Sequence, residues 1–460
     1  MTQTSTATTE LLSPAGTLKS MRYAFSYGAN AVYAGQPRYS LRVRNNEFNK
    51  IENLASAVEE AHAQNKLFYL ASNISPHNDK VRTYLRDVEP VIEMKPDALI
   101  MSDPGLIMLV REKWPDQAIH LSVQANAVNW ATVKFWQQQG VERAILSREL
   151  SIDEIEEIRQ QCPEMELEVF VHGALCMAYS GRCLLSGYMT HRDSNQGACT
   201  NSCRWQYNVH EAQETETGDL IAVSKHSTLD NVTKSGVQIV DASKPNNEIT
   251  PVLLQERSRP NEYLPTYEDE HGTYIMNSKD LRAVQHVDRL VKMGIHSLKI
   301  EGRTKSHYYV ARTAQIYRRA IDNAHANKPF DMNLMGELEH LANRGYTEGF
   351  YRRHVPSEYQ NYDDGNSSNS NQQFVGEALG YQQNTGWLTL DVKNQFRRGD
   401  KLELITPKGN INFKLERMET IQGQSTDIAP GSGHVVNILL PKKIELSDDG
   451  GFALLMRHIV

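Results

Sequence analysis

Four of the five cysteines in this chain fall between residues 168 and 205: Cys176, Cys183, Cys199 and Cys203. The apolar run at 169–171 leads directly into Gly173 and Cys176, so the first cysteines follow the end of a predicted strand. Folds built on parallel strands place their chemistry at such strand ends. Because thiolates bind soft metals and disulfides are rare in reducing compartments, this clustering predicts a metal or redox site.

The spacing of these cysteines favours an iron–sulfur cluster over zinc. Structural zinc sites use short paired spacings such as C-x2-C, whereas the intervals here are six, fifteen and three residues. A [4Fe–4S] cluster accepts ligands from separate chain segments, so irregular spacing suits it. Zinc, and buried or regulatory thiols, are the alternatives. The fifth cysteine, Cys162, ends a predicted helix and is expected to pack as a small apolar residue.

Eight apolar runs alternate with helical stretches from residue 9 to about 305. Continuous apolar strands are typical of a parallel sheet covered on both faces. Eight such units predict an α/β fold, a closed (β/α)8 TIM-like barrel. The helix after the sixth run should begin with a capping box formed by Ser151 and Glu154. The runs occupy 10–16, 31–35, 66–73, 97–103, 119–126, 143–149, 167–173 and 297–303.

The rest of the chain predicts an interrupted barrel followed by a second domain. Residues 1–8 are expected to form a disordered tail and 9–360 the catalytic barrel. An insertion at 174–281 would carry the cysteines and an acidic segment that forms a lid or a partner surface. The polar stretch 361–373 predicts a linker. Short strands between turns predict a small C-terminal β-barrel at 374–460.

Composition and charge limit the classes of function that are possible. The chain is 40% hydrophobic and 23% charged, with no apolar run long enough to cross a membrane and no secretory signal, so we expect a cytoplasmic protein. A net charge of −7 argues at first against nucleic acid. However, 206–270 holds twelve acidic and five basic residues, whereas 292–319 holds seven basic and one acidic. The second segment could present a basic face to a polyanion, or could be a solvated helix surface.

Polar side chains at the predicted strand ends are candidates for chemistry. The candidate acid–base groups are Glu149, His172 and Glu301. His172 could alternatively do no more than hydrogen-bond a backbone group in a barrel core. Amides that also end strands, and that could hydrogen-bond a base edge or a cofactor, are Asn73, Gln124 and Asn126.

Ten positions around the cysteines form a long and specific pattern: Glu168, Phe170, Gly173, Ala174, Leu175, Cys176, Gly181, Cys183, Leu185 and Ser186. This pattern is similar to the signature of the collagenase-like peptidase family. The segments at 10–16, 28–48 and 297–306 also resemble that family, so the likeness covers nearly the whole chain.

The resemblance implies an activity found within that family, the prephenate-dependent conversion of wobble uridine 34 of tRNA to 5-hydroxyuridine. Related members hold a [4Fe–4S] cluster on four cysteines, which supports Cys176, Cys183, Cys199 and Cys203 as ligands here. Prephenate carries two carboxylates, which arginines grip in bidentate fashion. The candidate substrate-binding residues at the strand ends are Arg42, Arg44, Arg148, Lys299 and Arg303.

The implied RNA partner also assigns a role to the basic segment 292–319. An anticodon loop presents unstacked bases that can enter a pocket. The basic segment would then contact phosphates, and Tyr308, Tyr309 and Tyr317 would stack on bases or form helix core.

A peptidase is the alternative that the family's name implies. The sequence has neither a G-x-S-x-G elbow nor an H-E-x-x-H zinc motif. Cys176 and His172 could form a thiol–imidazole pair, but that pairing leaves three cysteines without a role. A non-catalytic RNA-binding partner is a third interpretation.

Overall fold

The structure is a computed structural model that describes residues 8–40, 47–74, 76–174, 280–341, 345–352, 372–441 and 444–459, together with strands between 178 and 275. Most of the predicted N-terminal tail and of the predicted linker therefore lies outside the described residues. Within the described part, no helix is both long and apolar enough to cross a membrane.

The first seven apolar runs form seven parallel strands, each hydrogen-bonded to the next. Nearly every residue in them is buried, as expected for strands covered on both faces. The strands are β1 (Glu10–Pro14), β2 (Ala31–Gly35), β3 (Leu67–Ser72), β4 (Ala98–Met101), β5 (Ile119–Leu121), β6 (Arg143–Ile145) and β7 (Glu166–Ala174).

Helices cover the outside of these strands, and polar side chains fix where several of them begin. Ser151 and Glu154 form the predicted capping box. The Asp103 carboxylate caps the following helix by accepting from the Leu106 amide at 2.9 Å. The helices are α1 (Leu18–Ser26), α2 (Ile51–Ala63), α3 (Asn78–Glu93), α4 (Pro104–Lys113), α5 (Trp130–Gln138) and α6 (Ile152–Gln161), with 3₁₀ turns at Glu47–Asn49 and Val123–Ala125.

The insertion after β7 contains short antiparallel strands. A two-stranded pair comes first, with the backbone of Ala178 opposite that of Cys183. A five-stranded sheet follows in the acidic segment. The strands are β8 (Ala178–Tyr179), β9 (Arg182–Cys183), β10 (Tyr207–Glu214), β11 (Leu220–Ala222), β12 (Val252–Glu256), β13 (Leu264–Asp269), β14 (Gly272–Ile275) and β15 (Asp280–Arg282).

The eighth run, β16 (Ser297–Ile300), closes the barrel by pairing in parallel with both β1 and β7. The predicted (β/α)8 barrel is therefore confirmed. β15 pairs antiparallel with the last residues of β7 and brings the chain back from the insertion. The remaining elements are a 3₁₀ turn (Val284–His286), α7 (Val287–Lys292), α8 (His307–His325), α9 (Asn333–Glu339) and β17 (Tyr346–Thr347).

The C-terminal segment forms a seven-stranded antiparallel sheet around its own apolar core, which includes Leu388, Phe396 and Leu404. Its first strand begins two residues inside the predicted linker, and the described pairings do not join the two edge strands into a ring. The segment has nine strands, of which β20 and β24 form a separate two-stranded pair: β18 (Gln372–Tyr381), β19 (Trp387–Val392), β20 (Phe396–Arg397), β21 (Lys401–Thr406), β22 (Gly409–Lys414), β23 (Met418–Thr420), β24 (Ile428–Ala429), β25 (Val435–Leu439) and β26 (Leu454–His458).

Helix α8 joins the barrel to this sheet. Tyr308 stacks on Phe374 with ring centroids 5.2 Å apart. The Gln315 side chain donates to the Thr406 carbonyl at 2.9 Å. From α1, the Tyr27 hydroxyl lies 2.9 Å from the Phe452 carbonyl oxygen. The two domains therefore share a packed and hydrogen-bonded interface.

A buried carboxylate, Glu377, gives this interface a pH dependence. Burial alone would raise its pKa, but His307 at 3.4 Å, Lys19 at 2.6 Å and the Tyr23 hydroxyl at 2.9 Å lower it to about 2. A carboxylate with a lowered pKa stabilises the fold above its unfolded-state pKa, and this contribution disappears as the pH falls toward the folded value.

Replacing Glu377 by Gln should lower the free energy of unfolding by about 3 kcal/mol at neutral pH. The difference between wild type and variant should shrink between about pH 4.5 and pH 2. Denaturant unfolding across this range measures it. Glu416 is exposed on the same domain, so Glu416→Gln is the matched control and should show little difference at any pH. A difference for Glu377→Gln that does not change with pH would contradict this account.

Candidate active site at the barrel mouth

The barrel interior contains a network of buried charges beneath the mouth. Glu168 on β7 is fully buried and accepts from Lys299 Nζ at 2.7 Å and from Arg143 Nη1 at 3.3 Å. Arg143 also donates to Glu10 at 2.7 Å, and Glu10 accepts from the Tyr69 hydroxyl at 2.6 Å. Buried ions need such partners, because an unpaired one costs several kcal/mol.

Above this network, four of the predicted residues meet around Tyr33 on β2. We call Tyr33, Arg148, Phe170, Lys299, Glu301 and Arg303 the Tyr33 cluster. Lys299 Nζ lies 4.3 Å from the centroid of the Tyr33 ring, and the Arg303 guanidinium lies 5.8 Å from it. Burial lowers the pKa of Lys299, although its ion pair with Glu168 opposes that shift. These contacts place two cations beside one aromatic ring.

Arg148 brings the end of β6 into the cluster. Its guanidinium lies 3.9 Å from the centroid of the Phe170 ring and 3.5 Å from the Glu301 carboxylate. A second nitrogen donates to the Ala174 carbonyl at 2.9 Å. Its Nε is buried and has no hydrogen-bond partner among the described residues. Arg148 therefore retains a donor for a further acceptor at the mouth.

Two glycines are needed for these close approaches. Gly173 has φ +103°, and a Cβ there would overlap the carbonyl oxygen of Glu301. At Gly35, a Cβ would lie 2.7 Å from Arg303 Nη1, which donates to the Ser40 hydroxyl at 2.7 Å. A side chain at either position would displace the charged residue beside it.

The side chain of His172 lies in a box of aromatic rings. Its ring centroid is 5.8, 5.5 and 5.6 Å from those of Tyr309, Tyr317 and Tyr346. Burial, with smaller effects from Arg282 and Lys305, lowers its pKa to about 3. The imidazole is therefore neutral at physiological pH. Its catalytic role stays a prediction, and this enclosure favours a role in positioning the strand end.

Glu149 and the strand-end amides belong to a second polar group on neighbouring strands. Glu149 hydrogen-bonds the Ser147 hydroxyl, which lies 3.0 Å from Asn126 Oδ1. The Asn73 side chain donates to the Ser122 hydroxyl at 3.3 Å, and this hydroxyl also accepts from the backbone N–H of Gln124 at 3.3 Å. The group offers hydrogen-bonding side chains at the carboxyl ends of β3, β5 and β6.

Arg42, Arg44 and the side chains of all four clustered cysteines lie outside the described residues, so their assignments stay predictions. Among the described residues, no group of three or more His, Cys, Asp or Glu is arranged to hold a metal ion. Cys162 is buried at the end of α6, with its Sγ 3.5 Å from the Trp130 carbonyl. The expectation that Cys162 packs in the core is confirmed.

Several residues of the basic segment 292–319 are buried, which argues against one continuous basic face there. Tyr308, Tyr309 and Tyr317 are buried in α8, so they are helix core and do not offer stacking surfaces. Most of the cations are also buried or paired with carboxylates. Arg312 is buried, and Lys299 pairs with Glu168 inside the barrel. Three further cations form ion pairs with carboxylates on the helix surfaces: Lys292, Arg318 and Arg319.

Sequence reasoning missed Tyr33, Glu10, Arg143 and Glu168 as parts of the site. Three of them are charged residues at the beginning of apolar runs, at 10, 143 and 168. An ion within an otherwise apolar strand is costly unless a partner lies inside the same barrel. That pattern could have predicted the interior network, whereas Tyr33 looks like any other aromatic strand residue.

An eight-stranded barrel with a cysteine-bearing insertion after its seventh strand, followed by an antiparallel sheet domain, defines the class of protein. The chain belongs to Peptidase family U32. Residues 16–361 match that family, and residues 370–448 match the Peptidase family U32 C-terminal domain. The resemblance predicted from the cysteine stretch is therefore confirmed.

Individual relatives within this family carry two kinds of name. The chain is 62% identical to tRNA hydroxylation protein P of Escherichia coli, over 98% of this chain and 96% of that protein. It is 32% identical to tRNA hydroxylation protein P1 of Bacillus subtilis, over 95% and 92%. It is 23% identical to Collagenase of Porphyromonas gingivalis, over 95% and 96%.

Removing the buried carboxylate of Glu168 should destabilise the barrel far more than removing its neighbour. Glu168→Gln leaves Lys299 and Arg143 without their shared partner, so the free energy of unfolding should fall by about 3–5 kcal/mol. Glu166 also pairs with Arg143, but its side chain is 45% exposed, so Glu166→Gln should cost less than about 1 kcal/mol. Denaturant unfolding of both variants measures the contrast. Equal losses would show that the interior network does not stabilise the barrel.

Proposed function

We propose that this chain hydroxylates tRNA. The observation that carries the proposal is its 62% identity to tRNA hydroxylation protein P of Escherichia coli over nearly the full length of both chains. Identity at this level, without a large unmatched segment, supports retention of the relative's site together with its fold. The collagenase relative covers the chain as fully but at 23% identity, which supports a common family and not a common reaction.

The finer proposal is that the product is 5-hydroxyuridine at wobble position 34 and that prephenate is the co-substrate. A uridine in the anticodon loop can leave the base stack and enter a pocket at the barrel mouth. Asn73, Gln124 and Asn126 supply amide groups at the strand ends, which suit the polar edge of a base. The active sites of TIM-like barrels are built at this end of the strands.

The Tyr33 cluster suits a dicarboxylate. It contains three cations, Arg148, Lys299 and Arg303, and one carboxylate, Glu301, while Glu168 pairs with Lys299 from below. Arg148 keeps a buried Nε without a described partner. Arginines bind carboxylates through paired donors, and low exposure strengthens that interaction. Prephenate would therefore be oriented by Arg148 and Arg303 beside the aromatic faces of Tyr33 and Phe170.

A [4Fe–4S] cluster bound by Cys176, Cys183, Cys199 and Cys203 completes the proposal. These residues follow β7 directly in sequence, and β7 ends at Ala174, whose carbonyl is held by Arg148. When bound, a cluster held by four cysteines would supply electron transfer. The described residues would bind the co-substrate, orient the base and limit access of water.

The cluster proposal predicts opposite outcomes for two cysteines. In an Escherichia coli strain that lacks its tRNA hydroxylation protein, wild-type protein should restore 5-hydroxyuridine, as measured by mass spectrometry of tRNA. Cys183→Ala should not restore it, and after anaerobic purification it should hold little iron or sulfide. Cys162→Ala is the matched control and should keep both properties, because Cys162 packs in the core at the end of α6.

Other results of the same experiment would contradict the proposal. Full restoration by Ala variants of all four clustered cysteines would favour a non-catalytic RNA-binding protein. Cleavage of gelatin by metal-free protein, lost with Cys176→Ala and unaccompanied by tRNA modification, would favour the peptidase.

The dicarboxylate assignment predicts a selective loss of prephenate binding. Arg148→Lys keeps the charge but removes the paired donors, so the Kd for prephenate should rise about 10–100-fold. Arg289 pairs with Asp153 and Glu156 on the outer surface, so Arg289→Lys is the control and should change the Kd less than twofold. Isothermal titration calorimetry on anaerobically purified protein measures both. Equal Kd values would place prephenate elsewhere.

A further inference from the structure

A second site lies between the barrel and the C-terminal sheet, away from the mouth. It is a cavity of about 590 Å3 between α8 and α9 on the barrel side and β21, β22 and β26 on the other. Every residue that lines it, apart from Gly409, carries a polar side chain. Its volume is typical of a small-molecule site, and its lining suits a hydrophilic ligand.

Arg312 from α8 is the buried cation of this cavity. Only 1% of its surface is exposed, and its Nε has no hydrogen-bond partner among the residues that the structure describes. Its Nη1 makes only long contacts, 3.4 Å to Gln315 Oε1 and 3.6 Å to each of Glu337 and Glu403. A buried guanidinium with a donor left over needs a further acceptor.

The two carboxylates of the cavity are already occupied by other donors. Arg319 Nη1 lies 2.8 and 3.0 Å from the two oxygens of Glu337. Glu403 accepts from the side chains of Asn410 and Gln372, both at 2.8 Å. Both carboxylates therefore make their short hydrogen bonds to donors other than Arg312.

The charges that line the cavity favour an anion. Three cations line the cavity, Arg312, Arg319 and Lys408, against two carboxylates, Glu337 and Glu403. Lys408 also pairs with the exposed Glu445 at 2.8 Å, outside the lining. Burial lowers the pKa of His340, with Arg312 acting in the same direction, so His340 does not add a positive charge at neutral pH. The remaining groups include amides that donate and accept hydrogen bonds, as the edges of a nucleobase require.

We propose that this cavity binds a nucleoside phosphate. The phosphate would interact with Arg312, Arg319 and Lys408, since guanidinium groups match phosphate geometry. The base would contact Asn410 and Asn412, whereas Gln315 already donates to the Thr406 carbonyl and to Asn410. Such a ligand touches both domains, so binding would stabilise their association. The site stands independently of the proposed hydroxylation, and its ligand could be a nucleotide of an RNA chain or a free mononucleotide.

The test uses full-length protein with uridine 5′-monophosphate, uridine and inorganic phosphate as probes, at matched ionic strength. The monophosphate should bind in isothermal titration calorimetry and raise the Tm. Uridine should bind at least tenfold more weakly because it lacks the anion, and inorganic phosphate should compete with the monophosphate.

Variants at exposed lining positions test the cavity without disturbing the fold. The Lys408 side chain is 71% exposed and Asn412 is exposed, so Lys408→Glu and Asn412→Asp should fold normally and weaken monophosphate binding at least tenfold. Arg312→Lys should also weaken it. Lys414→Glu is the matched control, since Lys414 is exposed on β22 but does not line the cavity, and it should bind within twofold of wild type. All four variants should bind prephenate normally.

Competition with tRNA identifies the source of the ligand. Displacement of bound tRNA by the monophosphate, lost in Lys408→Glu, would assign the cavity to an RNA nucleotide. Monophosphate binding that tRNA does not affect would assign it to a free nucleotide. No measurable monophosphate binding, or equal affinity in wild type, Lys408→Glu and Asn412→Asp, would overturn the proposal.

Discussion

The buried Glu168 carboxylate is the interaction on which the barrel and its mouth both depend. A charged side chain that is buried from solvent must be paired with an opposite charge. The partners of Glu168 come from the strands on either side of β7: Arg143 from β6 and Lys299 from β16. A shift of either strand by one residue would turn its charged side chain out of the barrel. The network therefore specifies register as well as contributing stability. It also holds the Lys299 ammonium beneath Tyr33, so the charge of the mouth is set from within the barrel.

Helix α8 is the second constraint, and it explains why a basic segment need not be a nucleic-acid surface. Thirteen of its side chains are buried, because the helix packs on the barrel on one side and on the C-terminal sheet on the other. A cation in that position costs desolvation energy unless it finds a carboxylate or a ligand. Arg319 finds Glu337, whereas Arg312 has only distant carboxylates. The same packing that excludes Tyr308 and Tyr317 from RNA stacking creates the polar cavity between the domains.

The barrel could be predicted from sequence because each of its eight strands is a continuous apolar run of the right length, and the capping box marks a helix start locally. The site was predictable only in part. Arg148, Lys299, Glu301 and Arg303 share a strand-end position, which the order of the chain reveals. Tyr33 and Glu168 join them only through closure of the barrel, which pairs β16 with β1 and β7. The enclosure of His172 by three tyrosines from distant segments has no local signal at all.

The path of β7 explains how the cysteine insertion is tied to the mouth. β7 pairs with β16 up to His172, with a register irregularity between Lys299 and Ile300, and its last residues pair with β15. The insertion leaves the barrel at Ala174 and returns at Asp280, which are direct partners across this antiparallel pair. Both ends of the insertion are thus fixed at the same point, beside Gly173 and the Glu301 backbone that it contacts. The insertion as a whole is therefore attached to the barrel at both of its ends, which a single flexible tether would not achieve.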